Sequence, residues 1–193
     1  MTSELFGYPI STGFYVIEGC EFALKGNDGQ CLLTPKNMLW PPVGHSGIAL
    51  EIAISGKGLS ADRFEGEVVL DGPTSMLTYL ATDIERVKSG ADGTVAFPSS
   101  LIAGPCSPNF EFRVTRDRYS PTKWSLHCRC ASARHWKGDW WPTISEYNSE
   151  EFAGILSVVM PLDPDCLDVL RSDVLSFLAW VDREVEAWKR GDL

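Results

Sequence analysis

Two neighbouring stretches between Asn109 and Ala133 alternate between apolar and polar residues, and this alternation constrains the fold more than any other feature of the sequence. The apolar positions, at every second residue, are Phe110, Phe112 and Val114, then Trp124, Leu126, Cys128 and Cys130. A period of two is typical of strands that bury one face. The sequence therefore predicts two paired strands whose apolar face covers a core. The opposite face carries Arg113, His127 and Arg129 and is a candidate working surface.

Two longer stretches have helical periodicity. Apolar residues recur at steps of three and four from Leu77 to Val87 and again from Leu167 to Trp188. Asp71 or Thr74 is expected to cap the first helix, and Asp163, followed by a proline, to cap the second. The sequence therefore predicts two amphipathic helices, at about 73–89 and 163–189.

The remaining apolar segments predict further strands, with residues 35–47 as a loop. These strands are expected within Phe14–Leu24, Gln30–Thr34, Ile48–Ile54, Phe64–Leu70, Thr94–Phe97 and Ile155–Leu162. The last is almost continuously apolar and is expected to be buried on both faces. Blocks of strands that are each followed by a helix favour the α+β class, with antiparallel sheet and helices packed on it. Residues 1–193 are expected to form one domain, with a weak subdivision near 90–108 as the alternative.

The net charge of −9 bears on the kinds of partner that the chain can attract. It argues against nucleic acid and against anionic membrane surfaces, and it is compatible with a basic protein partner or with a role in solubility alone. No apolar run reaches the roughly 20 residues that cross a bilayer, and residues 1–13 lack a signal-peptide pattern. We therefore expect a cytoplasmic protein whose six cysteines are reduced. The sequence does not predict an oligomeric state.

A cluster of histidine and cysteine near the second strand of the pair suggests zinc at first sight. Adjacent residues of a strand point to opposite faces, so His127 cannot converge with Cys128 and Cys130. These cysteines are expected to be core thiols, and no metal site is predicted.

Other catalytic patterns are incomplete. Residues 44–47, Gly-His-Ser-Gly, lack the spacing and the following helix of a nucleophile elbow. No glycine-rich phosphate loop occurs, and Glu146, Glu150 and Glu151 are expected to be surface residues. No catalytic residue and no cofactor is predicted.

The charge distribution is more informative. From Arg113 to Lys137 there are seven basic side chains and one acidic one. This strip either forms a binding surface or pairs with the chain's own acidic helix. The tryptophans that follow it either belong to that surface or cover an edge of the core. The candidate binding residues are Arg113, His127, Arg129, Arg134, Trp136, Trp140 and Trp141.

The layout resembles that of immunity proteins of the WapI type. The resemblance rests on short N-terminal strands, a leucine-rich helix at Pro73–Ser89, the strand pair at Phe110–Ala131, the strand at Ile155–Leu162 and the C-terminal helix. It implies a small cytoplasmic protein that binds and neutralises a toxin. A non-enzymatic protein-binding module is therefore the first functional hypothesis. The alternative is a small enzyme or ligand-binding domain that acts on a phosphate- or sugar-containing substrate through the region Arg113–Trp141.

Overall fold

The computed structural model describes residues 14–16, 19–39, 47–56, 58–69, 75–90, 93–97, 110–120, 122–131, 155–190 and 192. Within these ranges the secondary structure elements are, in chain order, β1 (Phe14–Val16), β2 (Phe22–Lys25), β3 (Gly29–Leu39), β4 (Gly47–Gly56), β5 (Leu59–Val69), α1 (Met76–Lys88), β6 (Thr94–Phe97), β7 (Phe110–Arg116), β8 (Trp124–Ala131), β9 (Ile155–Leu162) and α2 (Asp165–Lys189).

The strands form two antiparallel sheets. The first has the order β1-β3-β4-β5, and β2 pairs with β3 along the same edge as β1. Gly19, with a φ of 74°, lies between β1 and β2, where a left-handed backbone favours glycine. The second sheet has the order β6-β7-β8-β9. Two antiparallel sheets with two helices confirm the predicted α+β class.

Strand β3 is longer than the sequence predicted. It continues through Pro35 to Leu39, and β4 begins at Gly47, so the predicted loop at 35–47 is wrong for its first five residues and for its last. The pairing of β3 with β4 shifts register between Pro35 and Asn37. Such a bulge lets a strand bend past a proline, which has no N–H to donate to the ladder.

Both predicted helices are present, and their ends lie within three residues of the predicted positions. Helix α1 begins at Met76 with Ser75 as N-cap, so the expectation that Asp71 or Thr74 caps it is wrong; those two residues lie outside the described residues. Gly90 follows it with a φ of 97°, as expected after the end of a helix. At the start of α2, the Asp163 carboxylate accepts a hydrogen bond from the Asp165 backbone N–H at 3.0 Å, which confirms the predicted cap.

The two helices contact each other, and each also lies against a sheet, α1 at β6 and α2 at β2. Arg171 of α2 donates to Glu85 of α1 at 2.7 Å, and Lys88 of α1 pairs with Asp168 of α2. Because residue numbers rise along one helix as they fall along the other, the helices run antiparallel. Both ion pairs are partly exposed, so each adds little to the stability of the fold. Their main effect is to favour this alignment of the two helices.

Buried side chains from both sheets and both helices form one hydrophobic core. Aromatic contacts join its parts: the ring centroids of Phe22 and Phe177 lie 5.6 Å apart, and those of Phe97 and Phe112 lie 5.4 Å apart. The extent of the domain over the whole chain stays a prediction. Neither α1 nor α2 combines the length and apolar character that crossing a membrane requires.

The two sheets approach closely where the turn before β3 meets the end of β9. A methyl group at Gly26 would overlap the backbone carbonyl of Pro161, so only glycine fits here without a shift of the backbone. The Asp163 N–H also donates to the Lys25 carbonyl at 3.3 Å. These backbone contacts fix the end of β9 against the first sheet.

Candidate binding face

The central strands of the second sheet have one buried and one exposed face. Phe112, Val114, Leu126 and Cys128 are buried, whereas Arg113, His127 and Arg129 between them are exposed. The predicted alternation is therefore confirmed, and Cys128 is a core thiol. The side chain of Cys130 is not among those described. We call the outward-facing side the open face; by register its positions are Thr94, Ala96, Glu111, Arg113, Thr115, Ser125, His127, Arg129, Ala131, Ile155, Ser157, Val159 and Pro161.

The strand register arranges the open face in rows across the sheet. Arg113 is the direct partner of His127, and His127 is the direct partner of Val159. Directly opposed residues place their Cβ atoms roughly 4.5–5.5 Å apart. Arg129 lies two positions beyond His127 on β8, and its partner on β7 is Glu111. The structure thus brings together the three predicted site residues that it describes.

The middle row of the open face consists of Arg113, His127 and Val159, and a chain of hydrogen bonds leads to its histidine. The Thr115 and Ser125 hydroxyl oxygens are 2.9 Å apart, and the Ser125 hydroxyl lies 3.3 Å from Nε2 of His127. A hydroxyl on one side restricts the imidazole to orientations that keep this contact. Neither Thr115 nor Ser125 was predicted from the sequence, although both occupy alternate positions on the polar face of their strands.

The expectation that β9 is buried on both faces is wrong. Met160 and Leu162 are buried, but Val159 is 62% exposed and lies on the open face. Met160 and Leu162 belong to the core that the described helices share, whereas Val159 points away from it. The sequence indicated this exposed face, because the non-apolar Ser157 and Pro161 lie two positions on either side of Val159.

The basic side chains between Arg113 and Lys137 do not all lie on the open face. The Arg116 guanidinium lies 6.0 Å from the ring centroid of Trp124, at the far end of the core-facing side. Arg118 and Lys123 are exposed in the turn between β7 and β8, beside Tyr119, which is 91% exposed. Only part of the strip therefore contributes to the open face.

Several predicted residues cannot be placed relative to this face. Four candidate binding residues lie outside the described residues, as do His45, Ser46 and the glutamates at 146, 150 and 151; the four are Arg134, Trp136, Trp140 and Trp141.

The described thiols have the properties of core residues. Burial, and to a smaller extent the charge of Asp173, raises the pKa of Cys20 to about 11. Burial likewise raises the pKa of Cys166. Since the thiolate is the reactive form, neither resembles an activated nucleophile. Among the described residues, no three His, Cys, Asp or Glu side chains are grouped so that they could hold a metal ion.

An open depression of about 480 Å³ lies on the first sheet, at the turn between β2 and β3 and at the end of β4. Its lining residues are Lys25, Gly26, Asp28, Gly29, Gln30, Ser55 and Gly56. His127 and the open-face arginines are not among them, so this depression does not bring the predicted site residues around a ligand.

Comparisons of the chain with protein-family models, with curated proteins and with solved structures find no match. The functional argument therefore rests on the open face itself.

Proposed function

We propose that the chain is a non-enzymatic protein-binding module whose partner binds the open face. The observation that supports this is the middle row, in which exposed Arg113 and His127 adjoin an exposed Val159. Arginine is enriched among the residues that dominate binding energy, and an apolar contact beside it supplies area that leaves water on binding.

The charge of the open face indicates what it attracts. A chain with a net charge of −9 attracts a basic partner in general. On the open face Arg113 and Arg129 share the strand pair with Glu111, the register partner of Arg129, so this face has charges of both signs. Complementary local charge orients an approaching partner and raises the association rate. We propose that charged groups of both signs on the partner meet this face.

The resemblance to WapI-type immunity proteins supports a narrower form of the proposal. In that form the partner is a toxin, the chain neutralises it by direct binding, and both meet in the cytoplasm. An open sheet face suits this role because blocking a partner requires surface complementarity and no chemistry.

One observation favours a second candidate function. The Ser125 hydroxyl lies 3.3 Å from the His127 imidazole, next to Arg113, and this grouping suits a phosphate-containing ligand. The second candidate is accordingly a ligand-binding domain or small enzyme that acts on such a ligand through the same face.

Capture from the native host tests the first proposal. The bait is the full chain, compared with the open-face variant Arg113→Glu/Arg129→Glu and the matched control Arg118→Glu/Arg183→Glu, which changes the charge equally at exposed positions elsewhere. We expect the unchanged chain and the control to retain one stoichiometric protein that the open-face variant loses. Equal capture by the open-face variant, or a copurifying small molecule with no protein partner, would refute the proposal.

A further inference from the structure

Strand β9 is an edge strand without the features that protect most edges. Within the described residues it pairs only with β8, and its eight residues, Ile155–Leu162, include no charged side chain. Natural edge strands avoid pairing with other chains by being short or charged. Strands β1, β2 and β6 have three or four residues each, and β5 has four charged side chains, Asp62, Arg63, Glu65 and Glu67. Among the described edge strands, β9 alone is both long and uncharged.

Two contacts with the first sheet show which backbone groups of β9 point away from β8. The Pro161 carbonyl oxygen approaches Gly26, and the Asp163 N–H, just after the strand, donates to the Lys25 carbonyl at 3.3 Å. Alternate residues of an antiparallel strand direct their N–H and C=O groups to the same side. The odd-numbered residues of β9 therefore turn their backbone groups away from β8, and the even-numbered residues bond to β8. Proline at position 161 agrees with this, since it has no N–H to give to β8.

The first sheet covers only the end of this edge, at residues 161–163. Ahead of it are three residues whose outward N–H and C=O groups bond to no described residue: Ile155, Ser157 and Val159. Ser157 and Val159 are exposed. Outward N–H and C=O groups that recur about every 6.8 Å match the backbone of another extended strand. This part of β9 is therefore suited to strand addition.

A second copy of β9 complements this edge. When two copies pair antiparallel about Ser157, Ser157 meets Ser157, and Val159 meets Ile155 of the second copy. Pairs of hydroxyl residues and pairs of β-branched residues are favourable across strands, and no like charges oppose each other. Each bonded pair exchanges two hydrogen bonds, so the three pairs form about six.

We propose that the chain forms a two-fold symmetric dimer in which the β9 edges of two copies pair antiparallel, with Ser157 at the axis. The axis is perpendicular to the joined sheet, so the two open faces lie on the same side. One open face measures about 20 by 20 Å, or about 400 Å². Two together give about 800 Å², the area that each partner buries in a standard interface. The pairing uses backbone groups of the edge and leaves the side chains of the open face available to a protein partner.

Sedimentation of the full chain over a concentration series tests the dimer. We expect the mass to rise to twice that of the chain as the concentration increases. Ser157→Lys and Ser157→Glu each place like charges opposite each other at the axis and should weaken association about fivefold or more. The matched control Ser176→Lys makes the same change at an exposed serine of α2 and should alter the dissociation constant by less than about twofold.

A mixture of the two charged variants separates pairing at β9 from a loss of fold. Ser157→Lys mixed with Ser157→Glu places opposite charges across the axis. Native mass spectrometry should therefore show a dimer with one copy of each, several-fold tighter than the dimer of either variant alone. Recovery of association by mixing is possible only if both variants are folded and position 157 lies at the interface.

Three outcomes would overturn the inference: a chain that remains monomeric up to roughly 1 mM, a dimer that Ser157→Lys does not weaken, or a mixture that shows no preference for the mixed dimer. A monomeric chain whose capture of the protein partner is abolished by Ser157→Lys would also overturn it, because β9 would then pair with a strand of that partner.

This inference goes beyond the proposed function and can fail separately from it. If the chain is a monomer while Arg113→Glu/Arg129→Glu abolishes capture of the protein partner, the dimer falls and the proposed function stands. If the dimer forms while that variant still captures the partner, the proposed function falls and the dimer stands.

Discussion

The two faces of strand β8 predict opposite effects for adjacent substitutions. Leu126 is completely buried in the core, and His127 is exposed on the open face. Leu126→Ala removes about three carbon groups from the core, about 2.4 kcal/mol of transfer free energy, and leaves a cavity. The total loss of stability should be about 3–5 kcal/mol. His127→Ala should change stability by less than about 0.5 kcal/mol.

Thermal unfolding measures this difference directly. For 193 residues the entropy of unfolding is about 0.4 kcal/mol per kelvin. Leu126→Ala should therefore lower the melting temperature by about 7–12 °C, and His127→Ala by about 1 °C or less. Comparable losses from the two variants would show that the open face is covered, and the argument for a binding surface would fail.

Three further predictions concern the rest of the fold. Gly26→Ala should destabilise the chain by about 1–3 kcal/mol in denaturant unfolding, because the methyl group meets a backbone carbonyl of β9; Gly56→Ala, whose nearest contact would be 3.3 Å, should cost clearly less. Glu85→Arg and Arg171→Glu should each destabilise, and the double exchange should recover about 0.2–1 kcal/mol, as a double-mutant cycle will show. Burial raises the pKa of Cys20 from 9.0 to about 11, so the folded chain keeps a proton that the unfolded chain loses. Stability should therefore fall from about pH 9 to pH 11, and less so in Cys20→Ser; parallel unfolding curves that do not diverge would contradict this.

Much of the fold follows from the period of the apolar residues. The buried side of β4, Ile48, Leu50, Ile52 and Ile54, is the set that alternation predicts, and the second helix has the predicted cap at Asp163. These features depend on local preference and burial, which a single sequence contains.

Other features depend on contacts between distant parts of the chain. Pro35 was expected to end a strand, but pairing with β4 carries β3 past it through a bulge. Val159 was expected to be buried because its neighbours are apolar, whereas it lies beside exposed His127 on the face of the sheet that is turned away from the core. The sequence predicted Arg113, His127 and Arg129 as one face, but only the strand register makes Arg113 and Val159 neighbours of His127.

Site-specific photo-crosslinking in the native host tests the binding role of the open face most directly. A photoreactive benzoylphenylalanine replaces Val159 on the open face or, as a control, Leu175 on α2, which is also exposed. We predict a single crosslinked protein partner from position 159 and none from position 175. Crosslinking from position 175 alone, or a partner that is captured without any crosslink from position 159, would contradict the assignment of the open face as the binding surface.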